Sequence, residues 1–238
     1  TPLCAGKILP RRKGPLNMAK VAIIDYEMGN LFSVERACEH AGLDYFVTSD
    51  KKALLASDAA ILPGVGAFCD AMASLNKFDL VSPIREFIAS GKPFVGICLG
   101  MQLLMSESEE FGAHEGIGIF KGGVKKFTTL KTGNYKVPQV GWNSIYPPGG
   151  EIGLWRGGRS PLKSISAGEY MYFVHSFCCV PDDKAIIHTL TKYEDVEYCS
   201  SVSACNVFAC QYHPEKSGAR GLEIYRQWAN IINAGGQN

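Results

Sequence analysis

Apolar residues along the chain fall into two periods. Lys20 to Tyr26 is a near-continuous apolar run, which predicts a strand buried on both faces. Leu31 to Ala41 carries Leu31, Val34, Ala37, Cys38 and Ala41 at three- and four-residue intervals, which predicts an amphipathic helix that Gly42 closes. Asp44 to Thr48 and Ala59 to Leu62 read as strands, Leu80 to Ser90 as a helix, and Phe94 to Ile97 as a further strand. Buried strands alternating with helices imply parallel pairing, with any site at the carboxyl ends of the strands.

Beyond residue 120 the pattern becomes richer in strands, expected at Val124 to Phe127, Met171 to Val180, Ala185 to Tyr193, Val196 to Val202 and Val207 to Tyr212. A last helix beginning near Ser217 runs through Leu222, Ile224, Tyr225, Trp228 and Ile231, and the glycine-rich stretch from Pro147 to Arg159 reads as a surface loop. The expectation is one α/β domain over residues 19–233, with a largely parallel central sheet flanked by helices and additional antiparallel strands. Residues 234–238 are left as a tail.

Composition narrows the class. With 238 residues and 46% hydrophobic content, the chain can bury one substantial core. Its 24 basic and 23 acidic residues leave a formal charge of +1, so no large field is available to capture nucleic acid or an anionic membrane. No apolar run of about 20 residues is present to span a bilayer. Residues 1–17 hold Pro2, Pro10, Pro15 and the cluster Arg11-Arg12-Lys13, followed by a second plausible start at Met18. Without the apolar centre of a signal peptide, they are read as a tag remnant, an over-called start or a disordered leader. Nine cysteines, with Cys178 and Cys179 adjacent and no CxxC spacing, indicate a reducing, cytoplasmic setting, no disulfide framework and no metal site.

Two motifs carry chemistry. In Gly96-Ile97-Cys98-Leu99-Gly100-Met101-Gln102, an apolar strand delivers a cysteine to a glycine-flanked turn that opens a helix, an arrangement that exposes a nucleophile. A thiol with an ordinary pKa of about 8.5 falls to roughly 3.5–7.5 at such a place beside a histidine. In Gln211-Tyr212-His213-Pro214-Glu215, residues two apart in extended backbone point the same way, so Glu215 can orient the His213 imidazole. Cys98, His213 and Glu215 then form a nucleophile, base and orienting carboxylate. Acyl transfer needs oxyanion donors, for which the candidates are the Leu99 N–H and a peptide of Gly64-Val65-Gly66 centred on Val65. The glycines there permit a peptide flip.

GICLGMQ followed about 115 residues later by HPEKS resembles the class I, triad-type glutamine amidotransferases. Asp25-Tyr26-Glu27-Met28-Gly29-Asn30-Leu31, Leu62 to Phe68, Lys136 to Asn143 and Tyr172 to Phe177 extend the likeness toward the branch serving imidazole glycerol phosphate synthesis. Glu27 departs from it, standing where that family usually has glycine. The resemblance implies a flavodoxin-like fold, no cofactor, and hydrolysis of L-glutamine to glutamate and ammonia. It implies transfer of the ammonia to a (β/α)₈-barrel cyclase partner in a heterodimer of histidine biosynthesis. It also places Gly66, Gln102, Ser176 and Phe177 at the substrate, and Asn30, Pro138, Trp142, Tyr172 and Lys216 at the partner interface or ammonia passage. Plainer roles stand beside these: a helix cap for Asn30, core packing for Trp142, a solvated charge for Lys216. A paralogous glutaminase feeding a sugar-modifying synthase, and a catalytically quiet partner-activating subunit, are the alternative functions.

Overall fold

The computed structural model describes residues 19–127, 136–149 and 160–235. Residues 1–17 and most of the glycine-rich stretch 147–159, read above from sequence alone, therefore lie outside the described residues.

In the first half of the chain, strands β1 (Lys20–Ile24), β2 (Asp44–Thr48), β3 (Ala59–Leu62) and β4 (Phe94–Ile97) alternate with helices α1 (Leu31–His40), α2 (Lys51–Ala56), α3 (Phe68–Lys77) and α4 (Val81–Ala89). The boundaries expected for β2, β3 and β4 are those observed. Helices α2 and α3 were not anticipated, although Phe68, Ala71, Met72 and Leu75 form a buried stripe at helical spacing. After the short helix α5 (Leu99–Leu103) come β5 (Met105–Ser108), β6 (His114–Glu115), β7 (Phe120–Lys126), β8 (Gln139–Ser144), β9 (Tyr170–His175), β10 (Phe177–Pro181), β11 (Ile187–Tyr193), β12 (Val196–Ala204), β13 (Val207–Cys210) and the closing helix α6 (Gly218–Gly235). That helix continues past residue 233 and takes in part of the expected tail.

The main sheet runs β2-β1-β3-β4-β13-β12-β10-β7-β5-β6, with β11 on β12. Its first five strands are parallel. The order 2-1-3-4-5 is that of a flavodoxin-like sheet, except that the fifth position is filled by β13, near the end of the chain. Between β4 and β13 the described strands build a mainly antiparallel half, in which β5 and β7 alone are parallel, and the separate β8–β9 ribbon, before the chain returns beside the strand it left.

Alternation along the strands sorts the core onto two faces. Val21, Ile23, Ile61, Val95 and Ile97 pack with α1 and α6, whereas Ala22, Ile24, Ala60, Leu62 and Phe94 pack with α3 and α4. Covering both faces is why these strands read as continuous apolar runs.

One expected strand is corrected. Met171 to Val180 is two strands broken at Ser176: β9 pairs with β8 in a separate two-stranded sheet, and β10 joins β7 and β12 in the main one. The run is apolar except at His175-Ser176, and that polar pair marks the break, a signal the sequence carried and the single-strand reading passed over. Of the described cysteines, Cys38, Cys69, Cys98, Cys178, Cys179, Cys199 and Cys210 are free thiols, and Cys205 is disulfide-bonded. No described helix is long and apolar enough to cross a membrane, and the described residues hold no cluster of metal-ligating side chains.

Candidate active site

Adjacent strands bring the two motifs together. β4 and β13 are parallel neighbours, with Ile97 opposite Cys210, and the Cys98 N–H donates to the Cys210 carbonyl at 2.7 Å. Cys98 leaves β4 with φ 55° and ψ −109°, a backbone conformation an L-residue rarely takes, as expected of a sharp strand-to-helix elbow. The flanking glycines are dictated by contact. A Cβ at Gly100 would lie 2.0 Å from the Leu62 carbonyl oxygen, and one at Gly96 would lie 3.0 Å from the Gly100 oxygen.

His213 follows β13 at the same edge. Its Nδ1 and the Glu215 Oε1 are 2.7 Å apart, and both side chains are almost wholly buried. Burial by itself lowers the imidazole pKa. The neighbouring Cys98 sulfur and the Glu215 carboxylate outweigh it and raise His213 to about 10. Nε2 is buried and makes no hydrogen bond, so this nitrogen is left for the sulfur and whatever binds beside it. His175, the other histidine near the site, is unsuited to the role of base. Its Nδ1 lies 2.8 Å from the Phe177 carbonyl, its Nε2 lies 3.2 Å from the Tyr198 hydroxyl, and burial drives its pKa down to about 4.

A cavity of about 280 Å³ opens over Cys98. That is below the roughly 300–1,000 Å³ of drug-sized sites and suits an amino acid. Gly66, Gln102, Ser176 and Phe177 all line it, as do Val65, Leu99 and His213. The break between β9 and β10 is what turns Ser176 and Phe177 toward it.

The two oxyanion candidates are engaged elsewhere. Leu99 N–H donates to the Gly64 carbonyl at 3.3 Å, and Val65 N–H donates to the Met28 carbonyl at 2.8 Å. The Gly64–Val65 peptide therefore presents its oxygen, not its N–H, to the elbow. Turning that one peptide over would free the Leu99 donor and bring in the Val65 donor together. The loop is tightly seated: Tyr26 is fully buried beneath it and donates to the Pro63 carbonyl at 2.8 Å, while Gly66 sits at φ 97°.

Of the expected interface residues, Pro138 is exposed and lines the cavity. Asn30 caps α1, its side chain accepting from Ser33 N–H at 3.4 Å. Lys216 is exposed, and Tyr172 is half-buried. Trp142 is 55% exposed, which rules out the core-packing alternative. It stands against Tyr172 edge to face, with ring centroids 6.1 Å apart, and both lie on the β8–β9 ribbon with exposed Val140, Val174 and Tyr170. The apolar face they form is exposed and adjoins the cavity, which Val174 also lines.

Two site residues escaped the sequence reading. Glu110 lines the cavity, and its Oε2 accepts the Phe68 N–H at 2.7 Å, capping α3 where Ala67 has no side chain to do so. Burial raises its pKa, the Phe68 hydrogen bond opposing the rise. Gln211 is wholly buried and donates from Nε2 to the Cys98 sulfur at 3.6 Å. It stood two residues from His213 in the motif, which was signal enough to consider it.

Residues 22–229 match the family described as glutamine amidotransferase class-I. Curated relatives named imidazole glycerol phosphate synthase subunit HisH include one from Caldanaerobacter subterraneus subsp. tengcongensis, 45% identical over 212 residues, covering 89% of this chain and 98% of the relative. The one from Rhodopirellula baltica is 41% identical over 211 residues, covering 88% and 96%. Among solved structures, PurLQS from Thermotoga maritima is similar in fold, with a TM-score of 0.65 at 18% identity over 90% of this chain and 99% of that one.

Proposed function

From a chain that belongs to the class-I glutamine amidotransferases, and within them to the HisH subunits of imidazole glycerol phosphate synthase, we infer a glutaminase that works through Cys98, His213 and Glu215. The observation that carries this is the convergence of sulfur and imidazole at the carboxyl ends of β4 and β13, with the carboxylate 2.7 Å behind the ring.

Glutamine enters the cavity with its side-chain carboxamide over Cys98. The sulfur attacks the carboxamide carbon, and the oxyanion that forms is held by Leu99 and Val65 N–H groups once the Gly64–Val65 peptide has turned. His213, charged by the proton it shares with the thiol, passes that proton to the departing ammonia, while Glu215 holds the ring and its charge. Water, activated by the now neutral His213, cleaves the glutamyl thioester and releases glutamate. Glu110 supplies the carboxylate for the substrate α-ammonium group, and Gln102 offers its carboxamide oxygen.

Free ammonia would be protonated or lost in water, so a partner collects it. The exposed face built from Val140, Trp142, Tyr170 and Val174 is its docking surface, with Pro138 at the cavity mouth. The partner is a (β/α)₈-barrel cyclase that builds imidazole glycerol phosphate in histidine biosynthesis. With that cyclase, Cys98→Ala is expected to abolish glutamine-supported product formation and to spare ammonia-supported formation. Loss of both would assign Cys98 a structural part only, and activity solely with a sugar-modifying synthase would reassign the acceptor.

A further inference from the structure

We propose that Gln211 is a positioning residue of the nucleophile, the last link in a chain of amides that delivers an N–H to the Cys98 sulfur. The proposal deepens the glutaminase reading and rests on it.

The chain starts from a group that cannot be turned round. The Phe177 carbonyl oxygen can only accept, and a Gln102 carboxamide atom lies 3.0 Å from it, so that atom must be Nε2. The same Nε2 lies 3.0 Å from a Gln211 carboxamide atom, which must therefore be Oε1. Gln211 Nε2 is then the atom that faces the sulfur, at 3.6 Å. One backbone carbonyl thus settles the orientation of both side-chain amides. Reversing either would set donor against donor or acceptor against acceptor in a buried place, at a cost no partner offsets.

Two consequences follow for the sulfur. Both hydrogens of Gln102 Nε2 are committed, leaving Gln102 Oε1 as its free acceptor. Gln211, by accepting through its oxygen, becomes the stronger donor through its nitrogen, because hydrogen bonds in series polarise one another. Cys98 therefore has a neutral donor in addition to the charged imidazole. The neutral one is held by β10 through Phe177 and does not depend on the protonation of His213. The other titratable groups around the sulfur are Glu215 behind His213, His175 and Glu110 across the cavity, and the buried Tyr26, Cys179 and Cys210, whose deprotonation burial opposes.

The test is the pH dependence of Cys98 alkylation by iodoacetamide, followed on the Cys98 peptide by mass spectrometry, with half-buried Cys69 as the internal reference thiol. Wild type, Gln211→Glu and Gln211→Met are compared as full-length chains. Gln211→Glu keeps the acceptor for Gln102 and replaces the donor with a charge repelling the thiolate, so its reactivity profile is expected to move up by about 1–2 pH units. Gln211→Met removes the donor without adding charge and is expected to move the profile in the same direction by less. It carries the comparison alone if the carboxylate unfolds the chain. A profile unmoved in the folded variants would overturn the proposal while leaving the glutaminase reading standing. Wild-type Cys98 reacting no faster than Cys69 at neutral pH would overturn both.

Discussion

Leu99 N–H is bonded to the Gly64 carbonyl at 3.3 Å, so the first backbone donor of the elbow is spent on the loop that faces it. The peptide behind that carbonyl is pinned at its other end by Val65 N–H to Met28 O at 2.8 Å. A single oxyanion donor is worth about 10²–10³ in rate. The isolated chain is therefore expected to turn glutamine over at least 10²-fold more slowly than the chain bound to the proposed cyclase partner, measured as glutamate release under saturating glutamine. Equal rates with and without partner would contradict the closed loop as the limiting feature.

Acid should unfold this protein through its buried histidines. Burial holds His175 and His188 down to about 4, against an ordinary value of 6.5. Between those values the unfolded chain binds protons that the folded chain refuses, so stability falls as pH drops from 6.5 toward 4. Each histidine contributes roughly 1–1.5 kcal/mol per pH unit within the window. Urea unfolding at pH 7 and pH 5 measures it, and His188→Gln should flatten the slope.

Glu27 occupies a position that favours glycine. Its φ is 67°, a region that costs an L-residue about 1–2 kcal/mol, and its compensation is an exposed ion pair with Lys77 at 2.8 Å, worth about 0–1 kcal/mol. Glu27→Gly relieves the strain and loses the pair, and it loosens the unfolded chain by about 0.5–1 kcal/mol. These terms nearly cancel, so the expected outcome is stability within about 1 kcal/mol of wild type, with Glu27→Val less stable than either. A clear loss in Glu27→Gly by denaturant unfolding would show that the Lys77 contact dominates.

Trp142 is 55% exposed on the β8–β9 ribbon, so its side chain adds little to the stability of the fold. Trp142→Ala forfeits an edge contact with Tyr172, so the folded chain should lose no more than about 1 kcal/mol. Affinity for the cyclase, by titration calorimetry, should fall by about 30-fold or more if the ring anchors the interface. Unchanged affinity would place the partner elsewhere.

Much of the fold was legible because its cause is local. Strands β3 and β4 were bounded correctly since both their faces are buried, and the partly exposed edge strand β2 because turn and helix-cap residues flank it. The pairing of His213 with Glu215 was legible too, because two residues of extended backbone around a proline leave little freedom. The break at Ser176 was not read: His175-Ser176 interrupts the apolar run, but a polar pair inside a strand does not by itself say that the chain changes sheets. Nor was the Glu110 cap on α3, which reaches across 42 residues of sequence.

By itself the sequence determined which residues are competent for the chemistry: a cysteine on a glycine elbow, a histidine with its carboxylate, and strands built to be buried. Tertiary structure alone decided that β13 closes against β4, that Gln211 faces the sulfur, and that the Leu99 donor is occupied. The physical reason is range. Backbone sterics and apolar periodicity act over a few residues and leave their mark in composition, whereas strand order and the facing of a peptide plane are set by partners that only a folded chain brings within hydrogen-bonding distance.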